Sequence, residues 1–92
     1  FYKLLDYIWI YKMKLIVLNL PRDLNEQSLA LFFKTIGEIK SCKVVIDKYT
    51  QISKGFGFVE MTSNDDGEMA IKELHGTKIG KNKIRIKQSN DQ

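Results

Sequence analysis

Residues 54–61 read Lys54-Gly55-Phe56-Gly57-Phe58-Val59-Glu60-Met61, and one carboxylate within them decides which way the surrounding sheet faces. Successive side chains of a strand point to opposite sides, so Phe56, Phe58 and Glu60 share one face while Gly57, Val59 and Met61 share the other. An unpaired carboxylate is costly to bury. The Glu60 face therefore meets solvent and exposes two phenylalanine rings with it, a surface suited to a flat partner. The opposite assignment puts both rings in the core and Glu60 at a frayed edge. Gly55 and Gly57 let another backbone or a ligand come close, and Lys54 adds a cation where the strand begins.

The flanking segments follow the same logic. Lys14 to Asn19 alternates as a strand, with Leu15 and Val17 on one face and Lys14, Ile16 and Leu18 on the wet one. After a turn at Pro21–Leu24, Asn25 is placed as a helix N-cap with Glu26 just inside, and Leu29, Phe32, Phe33 and Ile36 form one side of a helix reaching about Thr35. Gly37 is expected to end it. Ile39 to Asp47 reads as a strand with Cys42, Val44 and Ile46 facing the core and Lys43 and Val45 facing water. Tyr49 decorates the polar loop that follows. Ser63 and Asp66 approximate a capping box, and Met69, Ala70, Ile71 and Leu74 give a second helix its apolar stripe up to His75-Gly76. Gly67 weakens that helix by about 1 kcal/mol relative to alanine, which is tolerable where it permits close packing on the sheet. Asn82 to Lys87 alternates strictly, with Ile84 and Ile86 inward and Lys83, Arg85 and Lys87 outward.

The order strand, helix, strand, strand, helix, strand predicts an α+β, ferredoxin-like βαββαβ sandwich: a four-stranded antiparallel sheet with two helices on one face and the other face open. Two stretches carry a resemblance to a known family. KGFGFVEM, residues 54–61, is similar to the octamer of the RNA-recognition motif (RRM) at seven of eight positions, with Met61 where the pattern has an aromatic. LIVLNL, residues 15–20, resembles the family's hexamer, with Ile16 where an aromatic usually stacks a base. The resemblance covers residues 13–87 and looks closest to small single-domain bacterial members and glycine-rich RNA-binding proteins. It implies single-stranded RNA binding on the open face, Phe56 and Phe58 stacking on a base or sugar, Lys54 meeting a phosphate, and Ile16 filling a stacking position without a ring. Lys14 and Lys43 lie on the same wet face, and the outward alternation of Lys83, Arg85 and Lys87 assigns them phosphate or base-edge contacts. Glu60 either repels phosphate, pairs with Lys43 or accepts from a base amino group. A modest affinity, a weak base preference and a role in RNA chaperoning or post-transcriptional regulation are the expectations, with single-stranded DNA as a second ligand class.

Ninety-two residues, 43% hydrophobic and 28% charged, fit one soluble domain, and no apolar run approaches the roughly 20 residues of a membrane span. The single cysteine, Cys42, excludes an internal disulfide and is expected to be buried and inert; it suits a reducing, cytoplasmic setting. The net charge of +4 is concentrated, since Lys78, Lys81, Lys83, Arg85 and Lys87 fall within one stretch free of acids. An enzyme is not expected. His75 is the single histidine, placed at an exposed helix end, and no second histidine or cysteine is available for a metal site or a Cys–His pair. Arg22 is a faint echo of an anion site without a phosphate-cradling loop. No catalytic set, metal or cofactor is assigned.

Residues 1–12 hold five of the ten aromatics and lack the small-residue cleavage site of a signal peptide. The expected organisation is an aromatic N-terminal extension at 1–12, an RRM domain at 13–88 and a polar tail at 89–92. A monomer is expected, with self-association through residues 1–12 as a second possibility. The rival function is a protein-interaction module using the sheet or the helices, the extension covering the sheet.

Overall fold

The computed structural model describes residues 13–89, so the N-terminal extension and most of the tail lie outside the described residues. The elements are β1 (Met13–Leu18), α1 (Glu26–Lys34), β2 (Ile39–Ile46), β3 (Ser53–Met61), α2 (Asn64–Leu74), β4 (Lys78–Ile79), β5 (Asn82–Lys83) and β6 (Arg85–Gln88). Four of the strands form an antiparallel sheet in the order β2-β3-β1-β6. The expected ferredoxin-like sandwich is present, with β1 and β3 at its centre.

Local chemistry sets the helix starts. The Asn25 side chain accepts the Ser28 N–H at 2.8 Å and the Ser63 hydroxyl accepts the Asp66 N–H at 3.0 Å, each satisfying a donor that the first turn leaves open. Leu29 and Phe33 of α1, and Ala70 and Leu74 of α2, then pack on Leu15, Val17, Val44, Val59, Ile84 and Ile86 of the sheet side. This single apolar layer is the core.

Several expectations are corrected. The continuous strand over Asn82–Lys87 is divided: Asn82–Lys83 pairs with Lys78–Ile79 as a separate two-stranded sheet, and β6 alone joins β1. The fully buried Ile84 sits at the break, exchanging backbone hydrogen bonds with Thr77 and Gly76 at 2.9 and 2.8 Å. Met69 is 46% exposed because the buried stripe of α2 runs through Gly67, Ala70 and Leu74. Ile46 is 45% exposed, since the pairing of β2 with β3 shifts between Val44 and Ile46. The first helix does end before Gly37, with Thr35 as its C-cap, and at Gly37 the Asp66 carboxylate lies where a side chain would be. Cys42 is half-buried rather than buried, and burial, reinforced by the charge of Glu26, pushes its thiol from the ordinary 9.0 to about 11. The thiolate is the reactive form, so the thiol is inert.

Both outer strands carry a helix-end side chain on their backbone. On β2, the Val44 N–H donates to Glu26 Oε2 at 2.9 Å, and on β6 the Ile86 N–H donates to His75 Nδ1 at 2.9 Å. His75 is thus exposed, as expected of a helix end, yet it is bound to the sheet.

At Gly67 α2 approaches β1 closely, because a methyl group there would overlap the Met13 side chain from Cγ to Cε. Overpacking typically costs about 1–3 kcal/mol, against a helix-propensity gain of about 1 kcal/mol for alanine. Gly67→Ala is expected to lower stability in a urea titration, even though the same exchange stabilises an exposed helix.

Candidate nucleic-acid interface

The strand registers divide the open face into rows. In one, Glu60 stands between Ser41 and Lys14; in the next, Ile16 faces both Phe58 and Lys87, and Phe58 faces Lys43; in the third, Leu18 faces Phe56 and Arg85. Directly opposite residues of antiparallel strands share a face. The middle row therefore crosses all four strands as Lys43, Phe58, Ile16 and Lys87: cation, ring, aliphatic, cation. At about 4.8 Å per strand, the two cations stand roughly 14 Å apart at the level of the backbone.

Phe56 and Phe58 are both half-buried, their centroids 6.1 Å apart and their planes at 82°. A plane laid flat on one ring meets the other edge-on. The Lys14 ammonium lies 4.9 Å from the Phe58 centroid, within range of a cation–π attraction. Glu60 accepts from the Ser41 hydroxyl at 2.8 Å, and Lys43 stands one row away beside Phe58.

The site's border is built from backbone constraints. Gly57 has no space for a side chain because the Lys43 carbonyl of β2 occupies it; this glycine admits a neighbouring strand, not a ligand. Gly55 holds φ 83° and its carbonyl accepts the Leu20 N–H at 2.8 Å. Arg22, the echo of an anion site, donates to the Ser53 carbonyl at 3.4 Å. In the loop joining β2 to β3, the Asp47 carboxylate accepts the Thr50 and Tyr49 N–H groups at 3.0 and 2.9 Å. These bonds, Thr50's first, hold its carboxyl below the usual 3.8. Tyr49 is 87% exposed at the loop's tip. Among the described residues, no group of three or more His, Cys, Asp or Glu side chains is placed to hold a metal ion, and no helix is long and apolar enough to cross a membrane.

The RNA recognition motif family matches residues 15–85. The chain belongs to that family. It is 36% identical over 74 residues to cleavage and termination factor 1 of Schizosaccharomyces pombe, covering 79% of this chain and 20% of that protein. It is 38% identical over 77 residues to RNA-binding protein BRN2 of Arabidopsis thaliana, covering 84% of this chain and 18% of that protein. The chain thus spans about a fifth of the length of these curated relatives. Both are eukaryotic and longer, so these matches do not point to the small bacterial members. Among solved structures, the Sxl-lethal protein/RNA complex superposes with a TM-score of 0.84 at 32% identity, over 88% of this chain and 48% of that one.

The RRM sheet brings Lys14, Ile16, Lys43, Phe56, Phe58, Glu60, Arg85 and Lys87 together on its open face. Lys54 lies exposed at the start of β3, and Lys83 lies off this sheet, in β5. Two further residues complete the face, Leu18, whose placement there follows from alternation, and Ser41, to which the sequence alone assigns no role. Leu18 separates Phe56 from Arg85, and Ser41 holds Glu60; both continue an alternation already visible in the sequence, Leu18 after Ile16 and Ser41 before Lys43.

Because the folded Asp47 carboxyl titrates lower than an unfolded one, its contribution is present above the ordinary carboxylate range and is lost only as pH falls through the folded value. In an NMR titration, the Thr50 and Tyr49 amide shifts should move with a midpoint below the ordinary 3.8. A midpoint above 3.8 would contradict the loop geometry.

Proposed function

We propose that the open sheet face binds single-stranded RNA, bases resting on Phe56 and Phe58 and phosphates on the surrounding cations. The observation that carries this reading is the middle row, where Lys43 and Lys87 bracket Phe58 and Ile16 across the full width of the sheet. Rings for base planes and cations for the backbone are what an unpaired strand requires. The family membership and two of its relatives, an RNA-binding protein and a protein/RNA complex, support the same ligand class.

A base stacking on Phe58 takes the ring face that the Lys14 ammonium now covers. The perpendicular Phe56 then presents an edge to the adjoining sugar or base. Ile16 offers contact area without a ring, so one stacking term of about 1–3 kcal/mol is reduced, and an affinity in the micromolar range, about −8 kcal/mol, follows. Base preference is weak because stacking accepts any base. Lys54 and Arg85 act as peripheral phosphate contacts, and Glu60, bonded to Ser41, limits how many phosphates this face accepts.

In this reading residues 13–88 are a binding domain rather than an enzyme, acting as a monomer in the cytoplasm in RNA chaperoning or post-transcriptional control. Single-stranded DNA binds the same face without the 2′-hydroxyl contacts.

Fluorescence anisotropy with labelled single-stranded RNA pools at two salt concentrations tests the proposal. Phe56→Ala with Phe58→Ala should weaken binding by at least about 30-fold, the equivalent of two stacking terms at their lower bound. Unchanged affinity in the double variant would remove the sheet from the account. Ile16→Tyr supplies the absent ring and should tighten binding by about 5-fold or more. Glu60→Gln should tighten it at low salt, and an unaltered affinity would take Glu60 out of the account.

A further inference from the structure

The hairpin formed by β4 and β5 lies outside the four-stranded sheet, with Ile79 packed against the core, and its charge pattern is unusual. Lys78 stands directly opposite Lys83, so two ammonium groups share one face of a two-residue pairing. Lys81 adds a third in the connecting turn, which Gly80 opens at φ 61°. All three lysines are exposed, and no acidic residue occurs between Glu73 and Asp91. Like charges directly opposite destabilise a strand pair, and an isolated two-stranded hairpin is marginal in water. Something else must hold this one.

Ile79 on the core and the hydrogen bond from the Ile84 N–H to the Thr77 carbonyl at 2.9 Å hold one side of it; further contacts come from the end of β1. Asn19, the residue after β1, sits in a left-handed conformation at φ 64°, donates its side-chain amide to the Lys83 carbonyl at 2.9 Å, and receives the Asn82 amide on its own carbonyl at 3.1 Å. A non-glycine residue keeps such a conformation only where its surroundings over-determine it. The hairpin is therefore fixed to the end of β1 that carries Leu18, next to the row of Phe56, Leu18 and Arg85. Its cations continue, off the sheet, the positive line that Arg85 and Lys87 begin.

Resting on the RNA reading of the sheet, we propose that the β4–β5 hairpin is a second phosphate-binding site, gripping the backbone of the RNA as it leaves the sheet past Arg85. The hairpin presents ammonium groups and no aromatic ring, so its contacts are with phosphates and are independent of base identity. It lengthens the footprint without changing which bases the sheet accepts. A polyanion also relieves the repulsion between Lys78 and Lys83, so the hairpin becomes more stable when RNA is bound.

The test uses the full chain and fluorescein-labelled oligouridylates of four and ten nucleotides, with anisotropy measured over a salt series. Each phosphate contact on a single strand contributes about 0.7 to the slope of log K against log salt. Lys78→Gln/Lys81→Gln/Lys83→Gln should flatten the ten-mer slope by about 1 to 2 and weaken its binding, leaving the four-mer unchanged. Lys34→Gln/Lys72→Gln, on the helices, serves as the control for net charge and should alter neither RNA. Lys81→Gln alone, in the exposed turn, should flatten the ten-mer slope by about 0.7 and keeps the test intact if the triple variant misfolds.

Unchanged ten-mer binding in a folded triple variant overturns the hairpin site and leaves the sheet reading standing. Equal weakening by the helix control overturns it in favour of a diffuse charge effect, and equal weakening of the four-mer overturns it by placing the lysines within the sheet site. Polyglutamate that competes with the ten-mer as well as unlabelled oligouridylate overturns RNA as the occupant and points to an acidic peptide. Failure of the wild-type chain to bind either RNA overturns the sheet reading and this inference together.

Discussion

The backbone of β2 passes so close to Gly57 that no side chain fits between them, the Lys43 carbonyl standing where a Cβ would go. Gly57 pairs with Val17 on one side and Val44 on the other, so this contact sits where the three strands β2, β3 and β1 are read across. A slip of one residue would exchange the two faces of a strand: Phe56 and Phe58 would turn into the core and Val59 out of it. The same slip would bring a phenylalanine against the Lys43 carbonyl. The close approach at one glycine thus pins the register on which every row of the open face depends.

Each central strand serves two masters through its period of two. Leu15, Val17 and Val59 are fully buried against the helices, while the residues between them, Lys14, Ile16 and Phe58, meet solvent on the other side. Exposing two rings on a folded surface leaves them free to reorient unless neighbours hold them. Here the edge-to-face pair of Phe56 and Phe58 and the ammonium of Lys14 over Phe58 contribute about 0.5–1.5 and 0.5–1 kcal/mol respectively. Those small terms do little for global stability. They restrict the rings before a ligand arrives, and so reduce the ordering entropy that binding must overcome.

The parts of this architecture that rest on burial are legible in the sequence. Glu60 marks the wet face of its strand, Lys14 does the same for the first strand, and Asn25 and Ser63 mark helix starts through their short polar side chains. What escapes is set by tertiary contacts with no local signature. Lys83 to Lys87 alternates without interruption, so nothing in the pattern shows that Ile84 bonds back to Thr77 and Gly76 and splits the segment between two sheets. Ile46 keeps the apolar identity of a core residue, yet the register shift beside it turns it outward. The role of Ser41 depends on which residue of β3 stands across from it, and that pairing is a property of the sheet, not of either strand alone. Membership in the RRM family follows from the two motifs; the corrections lie where the chain departs from regular strands.

The side chains that meet the outer strands bear on how the molecule behaves among copies of itself. An outermost strand with open N–H groups is a template on which another chain can add a strand. Val44 and Ile86 are at the two borders of the four-stranded sheet, and their N–H groups are taken by Glu26 and His75, one from the first turn of α1 and one from the residue capping α2. Each helix thereby occupies one donor on the border nearest its own end. Molecules crowded side by side along one nucleic acid can then touch through their surfaces without fusing their sheets into a continuous ribbon, and the growth of a β-aggregate is obstructed at both of its starting points.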